Sequence, residues 1–282
     1  MKEEDAYAKR PEERTLSWLL ATLRSSVGKK FVMGGTGLFL CFFLVVHLAG
    51  NLLLYAGPDA YNSYANKLHE NVALLIVAEI GLFGAMLLHI YLAFVTASEN
   101  RAARGATDYA MRQSKIPGRV IHVAGLAPDT TMYITGALIF GYIALHLCDF
   151  KFEVFADAAQ LAADPYTKAA MVLSSTSRKV IYAIAAIVVG IHVSHGFASA
   201  FQSLGLNHPK YMPTIKTISK VFGVAVAIGF GSFVTWDGQR RCGCESPATM
   251  ETAPTTMPST APAAATESAP APTTPAETVP QS

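Results

Sequence analysis

Five apolar stretches constrain the fold of this chain more than any other feature of its sequence. A helix needs about 20 apolar residues to cross a hydrocarbon core of about 30 Å. Windows of this length cover residues 31–55, 72–97, 130–150, 179–201 and 214–236. Hydrophobic residues make up 51% of the chain and charged residues 15%, a balance typical of membrane proteins. The sequence therefore predicts an all-α membrane protein with five transmembrane helices in one bundle.

The windows divide the chain into three segments. Residues 1–30 are polar and predict a cytoplasmic or interfacial segment with a helix before the first span. Residues 31–236 are the membrane anchor, and residues 237–282 are a tail rich in Pro, Ala and Thr. From residue 245 onward the tail has no aromatic residue, so we expect it to be disordered. The chain has no Walker loop, no dinucleotide-binding glycine motif and no hydrolytic triad pattern, so no soluble catalytic domain is predicted.

The connecting segments differ in character. Residues 57–71 are polar and rich in Tyr and Asn, and we expect a loop there. The loop after the second span is long and basic, with Arg101, Arg104, Arg112, Lys115 and Arg119. It is the largest surface offered to a partner protein. The segment 151–178 contains an Ala-rich stretch that predicts a helix lying on the outer surface.

The distribution of positive charge predicts the orientation of the bundle. With a cytoplasmic N-terminus, 15 of the 22 Lys and Arg residues lie on the cytoplasmic side and 7 on the other. Lys and Arg are enriched in cytoplasmic loops of membrane proteins. We therefore expect a cytoplasmic N-terminus and, after five spans, a C-terminus outside.

Four histidines lie inside the first four windows, one in each: His47, His89, His146 and His192. An ionisable side chain at membrane depth is costly and marks a candidate functional site. A single membrane histidine more often makes a hydrogen bond between helices, but four in successive spans favour a set of ligands. His195 lies one turn from His192, and depth in the span does not separate the two.

The helical rise sorts the four histidines into two layers. At about 1.5 Å per residue, His47 and His146 each lie roughly 24 Å from the cytoplasmic start of their spans. His89 and His192 lie roughly 26 Å and roughly 20 Å from the outer start of theirs. His47 and His146 therefore pair near the outer face, and His89 and His192 pair near the inner face. Zinc takes three or four ligands at one place, whereas two histidines per layer suit the axial positions of haem iron.

The sequence around these histidines resembles the diheme cytochrome b membrane-anchor subunit of succinate:quinone oxidoreductases, the succinate dehydrogenases and quinol:fumarate reductases. The resemblance covers roughly residues 25–236. The segments that carry it are VHLAGN around His47, AEIGLFGAMLLHIYLAF around His89, YITGALIFGYIALH ending in His146, and GIHVSHGFASAFQSLG containing His192. His195 falls on a variable position of the family pattern, so the resemblance favours His192 as the ligand in the fourth span.

The resemblance implies a five-helix bundle that holds two haem b groups, one by spans one and three and the other by spans two and four. It implies electron transfer between a membrane quinone, expected to be menaquinone, and flavoprotein and iron–sulphur subunits on the cytoplasmic side. It also implies a bacterial inner membrane with lipid as the surroundings and no nucleic-acid partner. The Cys242 and Cys244 pair lacks the C-x-x-C-H pattern of covalent haem attachment.

The chain departs from the family at its carboxylates. The glutamate that one fumarate reductase branch places two residues before the fourth-span ligand is Gly190 here. That branch also has a quinol-site glutamate in the loop before span two, for which Glu70 is the nearest candidate without a convincing alignment. Glu79 lies inside span two, where it is either a protonated acid within the bundle or a group that handles quinone or protons. The direction of catalysis stays open.

Two other functions fit the same sequence pattern. One is a cytochrome b anchor of another respiratory enzyme, such as a hydrogenase or formate dehydrogenase. The other is a haem-free transporter that uses His and Glu as a proton relay.

Overall fold

The computed structural model describes residues 11–104 and 128–236, together with Gly238. Every element in these ranges is helical. The elements are α1 (Pro11–Arg24), α2 (Ser26–Ala56), α3 (Pro58–Glu70), α4 (Val72–Arg104), α5 (Pro128–Phe150), α6 (Ala158–Ala162), α7 (Pro165–Ser174), α8 (Thr176–Ser203), α9 (Met212–Ser232) and a 3-10 turn at Phe233–Thr235.

Five of these helices, α2, α4, α5, α8 and α9, are long and apolar enough to cross a membrane. They coincide with the five apolar windows, so the prediction of an all-helical, multi-pass membrane protein is confirmed. The N-terminal segment contains helix α1, as predicted. Residues 1–10, the basic residues Arg112, Lys115 and Arg119, and the tail beyond Gly238 lie outside the described residues.

Residues 57–71, predicted from their polarity to be a loop, form helix α3, so that prediction is wrong. Gly57 ends α2 with φ of 106°, a conformation that favours glycine. Pro58 then begins α3, where its missing N–H is not needed. Ala65 is buried and Tyr61 packs against a core cluster, so a narrow inward face stabilises an otherwise polar helix. Tyr61 and Ala65 lie one helical turn apart, so the segment has helical periodicity that its overall polarity outweighed in the prediction.

The Ala-rich stretch between α5 and α8 is helical, as predicted. Asp157 caps α6 by accepting a hydrogen bond from the backbone of Gln160. Asp164 caps α7 by accepting from the backbone N–H groups of Tyr166 and Thr167, and Pro165 occupies the first turn. Side-chain oxygens of this kind satisfy the free N–H groups at a helix start.

Helices α3 and α7 pack together at the end of the bundle where α2 ends. This end is called here the opposite end, because it lies opposite the end where α2 begins. The Asn62 amide donates a hydrogen bond of 2.6 Å to Asp164 and its oxygen accepts one of 2.9 Å from the Tyr166 backbone. Tyr166 is 2% exposed and makes an edge-to-face contact of 5.2 Å with Trp236. The buried members of this cluster are Leu54, Tyr166, Ala169, Ala170, Leu173, Phe233 and Trp236.

The other end, where α2 begins, is called here the N-terminal end. Lys29 of α2 forms an ion pair with Glu99 of α4 there, so α2 and α4 run antiparallel. The end of α8 also lies there, because Gly34 faces the Ala200 carbonyl and Ser203. Helix α8 is central, since it packs against α2, α5 and α9, whereas α4 packs mainly on α2.

Helices α8 and α9 cross closely through two glycines. A Cβ on Gly190 would lie 2.6 Å from the Gly223 carbonyl, and a Cβ on Gly223 would lie 2.5 Å from the Gly190 carbonyl. Ser219, which is 1% exposed, donates a hydrogen bond of 2.6 Å to the Ser194 carbonyl. Small residues and interhelical hydrogen bonds are the usual means of helix association in membranes.

Candidate functional site

His47 of α2 and His146 of α5 face each other in one layer. Their ring centroids are 5.9 Å apart and the rings are nearly perpendicular, at 83°. Two imidazoles that bind one iron from opposite sides have centroids about 6 Å apart, because the metal–nitrogen bond is about 2 Å and the nitrogen lies about 1 Å from the centroid. The separation of this pair therefore fits axial ligation of one iron.

The His47 ring lies among aromatic side chains. It stacks on Phe43 at 5.3 Å and contacts Phe230 of α9 at 5.7 Å. The Asn51 amide lies 3.4 and 3.5 Å from the two ring nitrogens, while its shortest hydrogen bond, 2.8 Å, goes to the His47 carbonyl. The ring is thus positioned by packing, and no short hydrogen bond fixes its tautomer.

His146 is oriented by a polar contact with α8. Its Nδ1 lies 3.4 Å from the Tyr182 hydroxyl, which donates a hydrogen bond of 3.0 Å to Asp149. Because the phenol proton is engaged by the carboxylate, the phenol oxygen can only accept from the imidazole, so Nδ1 carries the proton. The Nε2 lone pair is then available to bind a metal. Tyr142 and Phe150 contact the same ring at 5.8 and 5.2 Å.

His89 of α4 is oriented by α2. Its Nδ1 lies 3.2 Å from the Met33 carbonyl and 3.3 Å from the Thr36 hydroxyl. The Thr36 hydroxyl lies 3.0 Å from the Val32 carbonyl and donates to its own helix. Both neighbours of Nδ1 are therefore acceptors, which places the proton on Nδ1 and leaves Nε2 free. The ring lies over Gly37, where an added Cβ would be 3.2 Å from it.

His192 of α8 has matching surroundings on α5. Its Nδ1 lies 3.0 Å from the Thr135 hydroxyl, which donates to the Thr131 carbonyl at 2.8 Å. The Thr135 oxygen thus accepts from Nδ1, and Nε2 is again free. The ring lies over Gly136, at 3.5 Å from an added Cβ. His89 and His192 thus lie over equivalent glycines of α2 and α5, which is consistent with a second layer.

No family model, curated protein or solved structure matches this chain.

The sequence did not lead to the prediction that Thr36 and Thr135 support histidines, although both lie in a repeated motif. The residues M-x-x-T-G precede the first and third histidines at the same spacing. The matching sets are Met33, Thr36, Gly37 and His47 in α2, and Met132, Thr135, Gly136 and His146 in α5. Each of these helices therefore carries one histidine for its own layer and one Thr-Gly pair that supports a histidine of the other layer.

His195 has a different environment from His192. Its Nδ1 lies 3.1 Å from the Ile191 carbonyl and 3.3 Å from the Ser194 hydroxyl, both on its own helix. Among the described contacts of its side chain, none reaches another span. His192, in contrast, is held by α5. This difference supports His192 as the ligand of the fourth span.

The two candidate glutamates lie apart from the histidines. Glu79 forms an ion pair with Lys151, which follows α5, so the structure gives it a partner that neither sequence interpretation named. Glu70 is the exposed last residue of α3. No contact among the described residues joins either carboxylate to the four histidines. A role for them in quinone or proton handling stays a prediction.

Three groups of glycines in the spans show what lies beside the helices. Gly37 and Gly136 make room for imidazole rings, and Gly34 and Gly190 make room for neighbouring backbone. A third group faces open space, with no atom within 4 Å of an added Cβ: Gly35, Gly81, Gly84 and Gly141. All four span histidines are only partly buried. The four rings are thus partly exposed, and two of them lie over a glycine that leaves room for the imidazole.

Proposed function

We propose that this chain is the membrane-anchor cytochrome b subunit of a succinate:quinone oxidoreductase and holds two haem b groups. The observation that carries the proposal is the ligand geometry. Two histidine layers are built from four spans, and in three of the four histidines a neighbouring helix holds the proton on Nδ1. When bound, haem iron supplies one-electron redox chemistry, and histidine is one of its axial ligands.

The residues of the chain have distinct parts in this proposal. His47 and His146 hold one group, and His89 and His192 hold the other. Thr36, Thr135 and Tyr182 orient three of the rings through hydrogen bonds, as outer-shell partners of metal-binding histidines generally do. The apolar spans would exclude water from both groups and surround them with a low dielectric.

The replacement of the family glutamate by Gly190 has a packing reason in this chain. A side chain at position 190 would meet the Gly223 carbonyl of α9 at 2.6 Å. A carboxylate there is incompatible with the crossing of α8 and α9. The proton path that one fumarate reductase branch places at this position is therefore not part of the proposal.

The partners are proposed to dock at the N-terminal end of the bundle. This end carries the basic residues Lys29, Lys30, Arg101 and Lys210, on α2, α4 and the turn before α9. We propose that it faces the cytoplasm, where flavoprotein and iron–sulphur subunits bind. The anchor then lies in a bacterial inner membrane and exchanges electrons with a quinone, expected to be menaquinone.

A reduced-minus-oxidised visible spectrum of the purified complex tests the function. The proposal predicts b-type bands that appear on addition of succinate when the partner subunits co-purify. Reduction only by hydrogen or formate, with the corresponding subunits, would assign the anchor to another respiratory enzyme. Absence of any haem spectrum would favour the proton-coupled transporter.

A further inference from the structure

A polar chain runs from the imidazole of His146 to the opposite end of the bundle. The Tyr182 hydroxyl lies 3.4 Å from Nδ1 of His146 and donates a hydrogen bond of 3.0 Å to Asp149. The other oxygen of Asp149 lies 2.9 Å from Arg178. Four side chains on α5 and α8 therefore form one continuous hydrogen-bonded path.

The acidic member of this chain is deeply buried. Asp149 is 5% exposed, although it lies beside a cavity of about 330 Å³ at the opposite end. Arg178 neutralises the carboxylate and also lies 5.2 Å over the Phe155 ring. Buried ion pairs generally add little net stability, because desolvation offsets the attraction between the charges. Stability therefore does not explain why this ion pair is buried here.

We propose that Tyr182 is a positioning residue that, held by Asp149 and Arg178, lowers the redox potential of the iron bound by His146. The inference rests on the proposed function. A hydrogen bond from Nδ1–H to an oxygen polarised by a carboxylate makes the imidazole a more electron-rich ligand. An electron-rich ligand stabilises the oxidised iron more than the reduced iron.

The other layer supplies an internal reference. His89 and His192 donate to threonine hydroxyls, and no carboxylate is hydrogen-bonded to either threonine among the described contacts. The effect of Tyr182 is therefore confined to one of the two sites. Loss of its hydroxyl should change one potential and leave the other in place.

The test is a spectroelectrochemical titration of the holoprotein with Tyr182→Phe. Tyr142→Phe is the matched control, because Tyr142 contacts the rings of both His146 and Tyr182 but makes no described hydrogen bond to His146. The site of each potential is assigned with His47→Ala, which retains only the His89 and His192 group. We expect Tyr182→Phe to shift the potential at the His146 site to a more positive value and Tyr142→Phe to leave it unchanged.

Several outcomes would overturn the inference. Unchanged potentials in Tyr182→Phe would do so while the proposed function stands, as would equal shifts in Tyr182→Phe and Tyr142→Phe. A wild-type chain without haem would reject the proposed function and this inference with it. If the Tyr182→Phe protein does not retain haem at His146, Asp149→Asn takes its place in the test. A more positive potential at the His146 site in Asp149→Asn supports the inference. An unchanged potential, or loss of the haem from this variant as well, contradicts it.

Discussion

Three of the four span histidines are oriented by a side chain on a neighbouring helix. Thr36 and Thr135 each donate a hydrogen bond to their own backbone and so present an accepting oxygen to His89 and His192. Tyr182 does the same for His146, because its proton goes to Asp149. In each case the hydrogen-bond partners place the imidazole proton on Nδ1, which leaves the lone pair on Nε2.

Alanine substitutions at the four histidines test the pairing directly. His47→Ala and His146→Ala should each remove one and the same haem, since the centroids of the two rings lie 5.9 Å apart. His89→Ala and His192→Ala should remove the other. The measurement is a redox titration of the visible spectrum of each purified variant, in which the two haems are resolved by their potentials.

His195→Ala is the control for this series, because His195 bonds to its own helix. Both haems should remain in it. If His195→Ala removes a haem that His192→Ala retains, the ligand chosen in α8 is wrong.

The sequence could predict the histidines but not their supports. An ionisable residue in an apolar window is conspicuous, so His47, His89, His146 and His192 are readily found. Threonine is common in membrane helices as a back-bonded residue, and its presence does not indicate which ring it faces. Only the packing of α2 on α4 and of α5 on α8 places Thr36 and Thr135 at their histidines.

At the scale of elements, the five spans follow from length and apolarity, whereas the helices between them depend on tertiary contacts. Helix α3 is mostly polar and is held through Tyr61, Asn62 and Ala65, so its polarity conceals the helical periodicity of its inward face. The close crossing of α8 and α9 is also invisible in the sequence, because glycines in spans occur for several reasons. Gly190 and Gly223 allow the close crossing because they face each other.

Gly223→Ala should destabilise the bundle, although alanine is the better helix former by about 1 kcal/mol. The added Cβ would lie 2.5 Å from the Gly190 carbonyl, and overpacking of this kind costs about 1–3 kcal/mol. Thermal unfolding in detergent is the measurement. Gly231→Ala in the same helix is the control, because its Cβ would meet only Ala186, at 4.0 Å. A melting temperature for Gly223→Ala at or above that of the control would contradict the close crossing.

The contact between α3 and α7 should weaken in acid. Burial raises the pKa of Asp164, but hydrogen bonds from Thr167, Asn62 and Tyr166 outweigh it and lower the pKa below the usual 3.8. A lowered pKa contributes stability above the unfolded value, and this contribution is lost as the pH falls through the folded value. The melting temperature should therefore fall more steeply between about pH 5 and about pH 3 in the wild type than in Asp164→Asn. Equal decreases in the melting temperatures of the wild type and Asp164→Asn would show that Asp164 does not contribute to this pH dependence.

At the scale of the whole molecule, the unequal charge at the two ends predicts the orientation and with it the side on which partners bind. Exposed lysines offer a test in spheroplasts with a membrane-impermeant maleimide, after Cys242 and Cys244 are replaced by serine. Lys67→Cys on α3 should be labelled, and Lys210→Cys before α9 should be labelled only after the membrane is opened. The reverse pattern would invert the topology and move the docking face to the opposite end.

The central claim is that four histidines in two layers hold two haems, and the haem content of the purified chain tests it most directly. The pyridine hemochrome assay, combined with quantitative amino-acid analysis, gives the number of haems per chain. The geometry of the two layers predicts two non-covalently bound haem b groups, extractable into acidified acetone. One haem per chain would mean that one of the two histidine layers binds no haem. A chain with no haem would contradict the central claim.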